Sequence, residues 1–529
     1  MRRDNGGPGD SGVSRGRGAV CFHLRRLASW WHRGWYLGLP VVLAGMLVDA
    51  AARAVWHSEA YLFEIYLSAS ILLVLCLTPL LDNMRRGHVD PFELDVGFSL
   101  VYFLYFGARA LWLLYDPSTL IGETPYPSVV LAGLPAAVWY ADLGMAAYLA
   151  GYRLLSHAQS GRPFAGSGAL ARFDTRVVGV LVLPLYALGF LARVPDLAHG
   201  WFMGFAAAEF AGSVPAAVQS LTYFSVLGLL AYALVFVCLA TPGARNPMLW
   251  ALASVIVPLE VMFAFITGSK FYLVTLLCIP VIIGHYLRRR VSAAALAGLL
   301  AVYVFAVAPA VSVYRSTVDY RELRFGTMGR ELPRVAAQVG TSLLRLSPGA
   351  YVESSFGAFL HRLSGVDGLA IVVRGVPSRI AFQRGRTLAW VGKVLVPTAV
   401  WPRKYDRIED DLSSVPRLFG YPGFVQGGIG LTEDAELYLN FGVLGILAGM
   451  LGIGMLHRVG VIWLQCPMSP WRVWIYSLAW PWMMFSVEGW FYTIYPNVFR
   501  TVVLALLVVW AAAQLSRALA RARHRVAGP

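Results

Sequence analysis

Apolar runs of about twenty residues recur a dozen times along this chain, and they limit its fold more than any other feature. A helix that satisfies its own backbone hydrogen bonds needs about 20 mostly apolar residues to cross a bilayer. Such runs lie near 36–55, 60–81, 94–115, 129–152, 177–194 and 221–240. Six more lie near 248–267, 271–287, 292–312, 436–456, 472–490 and 498–516. The pattern predicts an all-α fold, a polytopic transmembrane helical bundle of about twelve spans with one large extracytoplasmic loop. Composition argues the same way. Of 529 residues, 58% are hydrophobic and 14% charged, whereas a soluble chain is nearer half and a quarter.

The net charge of +15 would suggest nucleic acid in a soluble protein. Here the arginines fall between apolar runs, as retention of basic residues on the cytoplasmic side produces, so no nucleic-acid partner is expected. With the Arg-rich N-terminus placed inside, alternation puts Arg85, Arg86, Arg153, Arg162, Arg172, Arg176, Arg245 and Arg288–Arg290 in the cytoplasm. His457, Arg458 and the tail with Arg517, Arg521, Arg523 and Arg525 join them. The short outer loops carry Glu59, Asp116, Glu123, Asp196 and Glu209, and only the Gly268-Ser269-Lys270 turn breaks the rule. Both termini are therefore expected inside. Trp56, Tyr61, Trp112 and Trp490 fall where an interfacial aromatic belt would place them. No internal repeat is apparent.

The expected organisation is a basic cytoplasmic tail (1–35), spans one to nine (36–312), a large outer loop (313–435), spans ten to twelve (436–516) and a second basic tail (517–529). The first residues are not a cleavable signal peptide. Residues 1–18 read as disordered, and 20–35 as either a basic amphipathic helix on an anionic membrane surface or a plain tail. Cys21, Cys76, Cys238, Cys278 and Cys466 are scattered, which implies neither a zinc site nor a disulfide framework. No metal and no cofactor is expected, and no Walker A loop, Rossmann glycine pattern, HExxH or GxSxG occurs.

Chemistry is expected in the outer loop. It carries Arg315, Arg321, Arg324, Arg330, Arg345, Arg379, Arg384, Arg386 and Arg403. Arginine forks match phosphate oxygens, so a lipid-linked diphosphate fits; pairing with loop acids or headgroups is the alternative. Its apolar stretches 369–376 and 388–401 predict short helices resting on the membrane face. In the run from Thr432 to Gly442, helical spacing puts Glu433, Glu436 and Asn440 on one face. Glu436 at a span mouth could act as a general base; ordinary helix capping by Thr432 and the first-turn acids is the alternative. Asp49, Glu64, Arg109, Asp142 and Glu260 fall inside spans, where an ionisable group is a functional candidate. Pairing of Arg109 with Asp142 or Glu260 is the plainer expectation.

The run Gly385-Arg386-Thr387-Leu388, then Pro397 and Trp401-Pro402-Arg403-Lys404, resembles a pattern of bacterial oligosaccharide repeat unit polymerases, the O-antigen and capsule polymerase superfamily. Gly430, Thr432 and Glu436-Leu437-Tyr438-Leu439-Asn440-Phe441-Gly442 resemble that family's G-E-x-Y-x-N-F-G stretch. His88-Val89-Asp90-Pro91, Gly268-Ser269-Lys270 and Tyr314-Arg315 match more weakly. Ala399, Tyr405 and Lys270 depart from the pattern.

The resemblance implies a metal-independent glycosyltransferase of the bacterial inner membrane. It would join repeat units carried on undecaprenyl diphosphate into an O-antigen, capsule or exopolysaccharide at the outer face. Glu436, Arg386 and Arg315 would be catalytic. Lys404, Lys270, Arg379, Asn440, Tyr438, Trp401 and Glu433 would bind substrate. Partners would be the lipid-linked oligosaccharide, membrane lipids, and a chain-length regulator and flippase of the same pathway. An O-antigen ligase of the same architecture is the first alternative. A transporter of the lipid-linked sugar is the second, and it would be marked by paired discontinuous helices.

Overall fold

A computed structural model of the protein describes residues 38–56, 60–87, 89–117, 127–157, 173–199, 221, 223–241, 247–317, 325–360, 363–401, 404, 431–465 and 468–526. Among these, every secondary element is helical. The expectations for 1–35, His88, Pro402, Arg403, Tyr405 and Gly430 lie outside the described residues, as do Cys21 and Cys466. Cys76, Cys238 and Cys278 are buried and free.

Among the described residues, eleven helices are long and apolar enough to cross a membrane. They are α1 (Gly38–Trp56), α2 (Ala60–Arg85), α3 (Leu94–Tyr115), α4 (Pro127–His157), α5 (Thr175–His199) and α6 (Tyr223–Ala240). Then come α7 (Pro247–Ile266), α8 (Lys270–Leu287) and α9 (Ala293–Arg315). Four shorter helices follow: α10 (Phe325–Leu344), α11 (Pro348–Leu360), α12 (Gly365–Gly375) and α13 (Trp390–Leu395). The chain ends with α14 (Glu433–Gln465), α15 (Pro470–Met484) and α16 (Phe491–Val526). Outward faces are apolar, with Leu47, Leu444 and Trp510 exposed, as a membrane-embedded bundle requires.

Eleven rather than twelve follows from α15. It occupies the expected span 472–490 but has 15 residues, about 22 Å of helix against a hydrocarbon core of about 30 Å. A short 3-10 turn, Ser486–Glu488, ends it. Nearly all of α15 is buried, so it fills the bundle interior.

The region 313–435 also departs from expectation. The ninth helix continues to Thr317 and the tenth long helix begins at Glu433, so both expected boundaries shift. More important, α12 does not rest on a membrane face. It is buried against α4 and α14. A Cβ on Gly133 of α4 would stand 2.5 Å from Ala370 O, and one on Gly365 would stand 3.2 Å from Thr432 Cγ2.

The fourteenth helix is two helices. Gly442 breaks it at φ 65°, ψ −150°, a conformation open essentially to glycine. The limb 433–441 folds back on the limb 443–465: a Cβ on Gly445 would meet Leu437 O at 2.3 Å, and one on Gly449 would meet the Leu437 side chain at 2.3 Å. Two half-helices, α12 and 433–441, thus start beside each other inside the bundle. The depth is set by Gly144, near the middle of α4, whose absent side chain leaves room for Asp434 Oδ1.

Close helix approach rests on small residues, as in membrane bundles generally. A Cβ on Gly151 would lie 2.0 Å from Leu451 O, and one on Gly454 would lie 2.1 Å from Tyr148 O.

Of the five charges expected inside spans, Asp49, Glu64, Arg109 and Glu260 are in ion pairs, Arg109 with another partner than expected, and Asp142 is not. Arg109 grips Asp367 of α12 with Nε to Oδ1 at 3.2 Å and Nη2 to Oδ2 at 2.8 Å. It pairs with neither Asp142 nor Glu260. Asp142 Oδ2 accepts from Ser68 at 2.6 Å, and Glu260 pairs with Arg193 at 2.5 Å. Arg53 reaches Asp49 at 2.5 Å and Glu64 at 3.1 Å. Sequence spacing could not reveal Asp367 as the partner, because α12 enters the bundle from 258 residues away.

Candidate functional site

The limb 433–441 ends with carbonyls that its own helix cannot satisfy, and the turn 383–387 supplies the missing donors. Gln383 N donates to Leu439 O at 2.9 Å and Arg384 N to Asn440 O at 3.1 Å. Gly385 N donates to Asn440 Oδ1 at 2.8 Å. Arg384 and Gly385 take positive φ, 50° and 84°, to make the bend. Thr387 completes the joint. Its hydroxyl donates to Glu436 Oε1 at 2.7 Å and accepts from Asn440 Nδ2 at 2.7 Å. Phe491 N, at the start of α16, donates to Glu436 Oε2 at 2.8 Å.

Glu436, the residue expected as a base, stands at the centre of this joint. Both carboxylate oxygens are engaged and the residue is fully buried. In this arrangement the carboxylate ties three segments together. Asn440 is equally buried and acts as a clamp. Glu433 is buried and takes a hydrogen bond from Tyr495 at 2.5 Å. Tyr438 stacks on Tyr140 with ring centres 5.3 Å apart.

Around this joint, Arg379, Arg384 and Arg386 are exposed. The negative C-terminal end of limb 433–441 lies beneath the turn that carries Arg384 and Arg386. Cationic side chains held outward at such a place can meet an anionic group.

Lys404 does not join them. It is fully buried, and its Nζ donates to Val394 O at 3.1 Å, Val396 O at 2.6 Å and Tyr223 Oη at 2.8 Å. It caps the last carbonyls of α13. Trp401 stacks on the buried Trp390, centres 6.0 Å apart.

Two of the weaker motif pieces form a second joint. Arg315 Nε donates to Gly268 O at 2.8 Å, and Tyr314 Oη donates to Ile266 O at 2.7 Å. Ser269 caps α8 by accepting from Tyr272 N at 3.2 Å, and Lys270 is buried at the same turn. Asp90, just before α3, is held by the Phe92 N–H at 3.0 Å and the Tyr286 hydroxyl at 2.9 Å. His285 accepts from Val291 N through Nδ1, leaving Nε2 facing Asp90 at 3.4 Å. Burial pushes the Asp90 carboxyl up, but His285, Tyr286 and the Phe92 N–H together outweigh it and hold the group below its usual value.

Two cations beside the turn Tyr223–Ser225 were missed in the sequence. Arg193 of α5 is buried, and donates to Glu260 and to Ser225 O at 3.1 Å. Arg500 of α16 lies 4.3 Å over the Tyr223 ring. With Lys404 they surround the turn Tyr223–Ser225. Arg193 sits inside an apolar run and could have been flagged as an intramembrane charge; nothing in the sequence marks Arg500 out from other helix-end arginines. Among the described residues no cluster of His, Cys, Asp and Glu could hold a metal ion.

No curated protein matches the chain, and no solved structure does. Residues 197–461, half of the chain, match the family described as "Domain of unknown function (DUF8712)". That span contains the turn 383–387, both half-helices and the Gly268–Arg315 joint. The chain belongs to this DUF8712 family.

Proposed function

We propose that this protein is a glycosyltransferase that polymerises lipid-linked oligosaccharide repeat units at the outer face of a bacterial inner membrane. The observation that carries the reading is the contact between Gly385–Thr387 and Glu436–Asn440. These are the two stretches whose residues resemble repeat unit polymerases, and they are 49 residues apart in sequence at Thr387 and Glu436. The exposed arginines on that turn suit the diphosphate of an undecaprenyl carrier.

In this reading the acceptor sugar hydroxyl attacks the anomeric carbon of the growing glycan. The carbon–oxygen bond to the diphosphate breaks, undecaprenyl diphosphate leaves, and the hydroxyl proton passes to the departing diphosphate or to water. Arg384 and Arg386 stabilise charge developing on the leaving group. Glu436, Thr387 and Asn440 fix the turn that presents them, which makes them positioning residues. The large segment would then be extracytoplasmic, with the N-terminus inside.

A transport reading is favoured by one specific observation. The half-helices α12 and 433–441 begin together inside the bundle, an arrangement that transporters use at their binding sites. The deciding experiment is a deletion of the gene in its host, with surface glycan and lipid-linked intermediates separated on a gel. Single repeat units, lengthened by wild type and not by the double variant Arg384→Ala/Arg386→Ala, support the polymerase. Long chains held on the lipid carrier point to a ligase. Repeat units trapped at the cytoplasmic face point to a transporter and overturn the proposal.

A further inference from the structure

The first half of α9 stands off from the helix before it. Ala293–Val302 has no buried residue, although it is part of a span. The face of α8 beside it is also incompletely covered. Pro280, Val281 and Gly284 are only half-buried, while Ile279, Ile282 and Ile283 on the other side of α8 are buried where it packs on α6 and α15.

Between the two helices lies a cleft of about 550 Å³, within the range of ligand sites, about 300–1,000 Å³. One wall is a single face of α8, running from Pro280 through Gly284 to Arg288. The other is a single face of α9, with Ala295, Leu299 and Val302 at spacings of four and three. A Cβ on Gly284 would meet nothing within 4 Å among the described residues, so the slot is open there. Its α8 wall is held in place from behind. Pro280 cannot donate to Leu276 O, and Tyr232 Oη of α6 does so instead at 2.8 Å.

The mouth of the cleft is basic. Arg288 and Arg289 line it where α8 ends, and none of the described lining residues is acidic. Arg288 Nε donates to Ala240 O at 3.3 Å and its Nη2 to Leu239 O, which fixes this guanidinium between the end of α6 and the cleft. Arg289 and the next residue, Arg290, are exposed. The same end of the bundle holds the Tyr286–Asp90 contact, and there Arg86 and Arg458 approach Glu93. From Arg288 to Pro280 is eight residues of helix, about 12 Å. One leaflet contributes about 15 Å, half of a hydrocarbon core of about 30 Å. The cleft is thus an apolar slot nearly one leaflet deep, with guanidinium at its headgroup end.

We propose that the cleft between α8 and α9 binds an anionic phospholipid of the leaflet at that end. One acyl chain lies along Val281, Gly284 and Leu299, and the phosphate meets Arg288 and Arg289. Basic pockets between spans recognise such headgroups, and the arginines gathered at this end are the mark of the side that faces the anionic cytoplasmic leaflet. A second copy docked here about a two-fold axis would set arginine against arginine, which disfavours it. The bound chain covers the half of α9 that the protein leaves bare. It thereby steadies the helix whose other end, at Tyr314 and Arg315, closes the second joint. The inference does not rest on the sugar-transfer reading.

The test is native mass spectrometry of the full chain, stripped of lipid in detergent and titrated with phosphatidylglycerol. Wild type should retain one phosphatidylglycerol in preference to phosphatidylcholine. Arg289→Gln should weaken that binding about fivefold, the worth of one arginine near an anionic headgroup. Gly284→Leu fills the slot from its open position and leaves the charge untouched. It should weaken binding about tenfold or more, as loss of two buried methylenes would. Its thermal midpoint in lipid-free detergent should not fall, because leucine is the better helix former. Equal retention of phosphatidylcholine overturns the headgroup assignment. Binding in Gly284→Leu that matches wild type overturns the slot. Should Gly284→Leu not fold, Ala295→Leu fills the same slot from the α9 wall and decides in its place.

Discussion

Thr387 and Glu436 share a buried hydrogen bond of 2.7 Å, and the same threonine hydroxyl accepts from Asn440 at 2.7 Å. One hydroxyl therefore locks a surface turn to a half-helix. Thr387→Val keeps the shape and removes both bonds. It should destabilise the protein by about 1–3 kcal/mol, the cost of leaving a buried polar partner unsatisfied. Thr387→Ser should retain most of the stability. Thermal unfolding in detergent, alongside glycan chain length in the host, checks both; equal midpoints for Val and wild type would dissolve the joint as described.

The pair Arg109–Asp367 holds α12 inside the bundle with both side chains buried. Asp367→Ala strands a buried guanidinium, and breaking such a pair costs about 3–5 kcal/mol. Replacing both partners by apolar residues, Arg109→Met with Asp367→Leu, should recover much of that loss. Protease sensitivity of the 363–401 segment reports whether α12 has left the bundle.

Gly442 adopts φ 65°, ψ −150°. Gly442→Ala should cost about 1–3 kcal/mol through backbone strain. Because the bend sets where limb 433–441 lies, activity should fall more steeply than stability. A Gly449→Ala variant, which crowds Leu437 without altering any bend, is the comparison that separates strain from crowding.

Glu488, in the turn before α16, is a carboxyl that burial pushes up to about 8. A group raised in the folded state contributes stability that is complete below its unfolded value of 4.5 and is lost as pH climbs through about 8. Thermal midpoints should accordingly decline between these limits, and Glu488→Gln should flatten that part of the profile. An unchanged slope in the variant would assign the decline to other groups.

The amino-acid sequence by itself determined that helices cross a membrane many times. A run of twenty apolar residues has few other ways to satisfy its backbone, so length and hydropathy carry that information locally. It also marked the residues of both joints, since Gly385, Thr387, Glu436 and Asn440, and Gly268 and Arg315, stand in the motif stretches. Their roles were not legible. Whether Glu436 faces substrate or is sealed depends on Thr387 and Phe491, and those meet it only after segments 49 and 55 residues away close on it. Lys404 reads as a cation for phosphate until α13 offers it carbonyls. The tertiary structure alone decided that α12 and the limb 433–441 enter the bundle, because helices of nine to eleven residues leave no length signal, and the motif marks Gly442 without giving its φ/ψ.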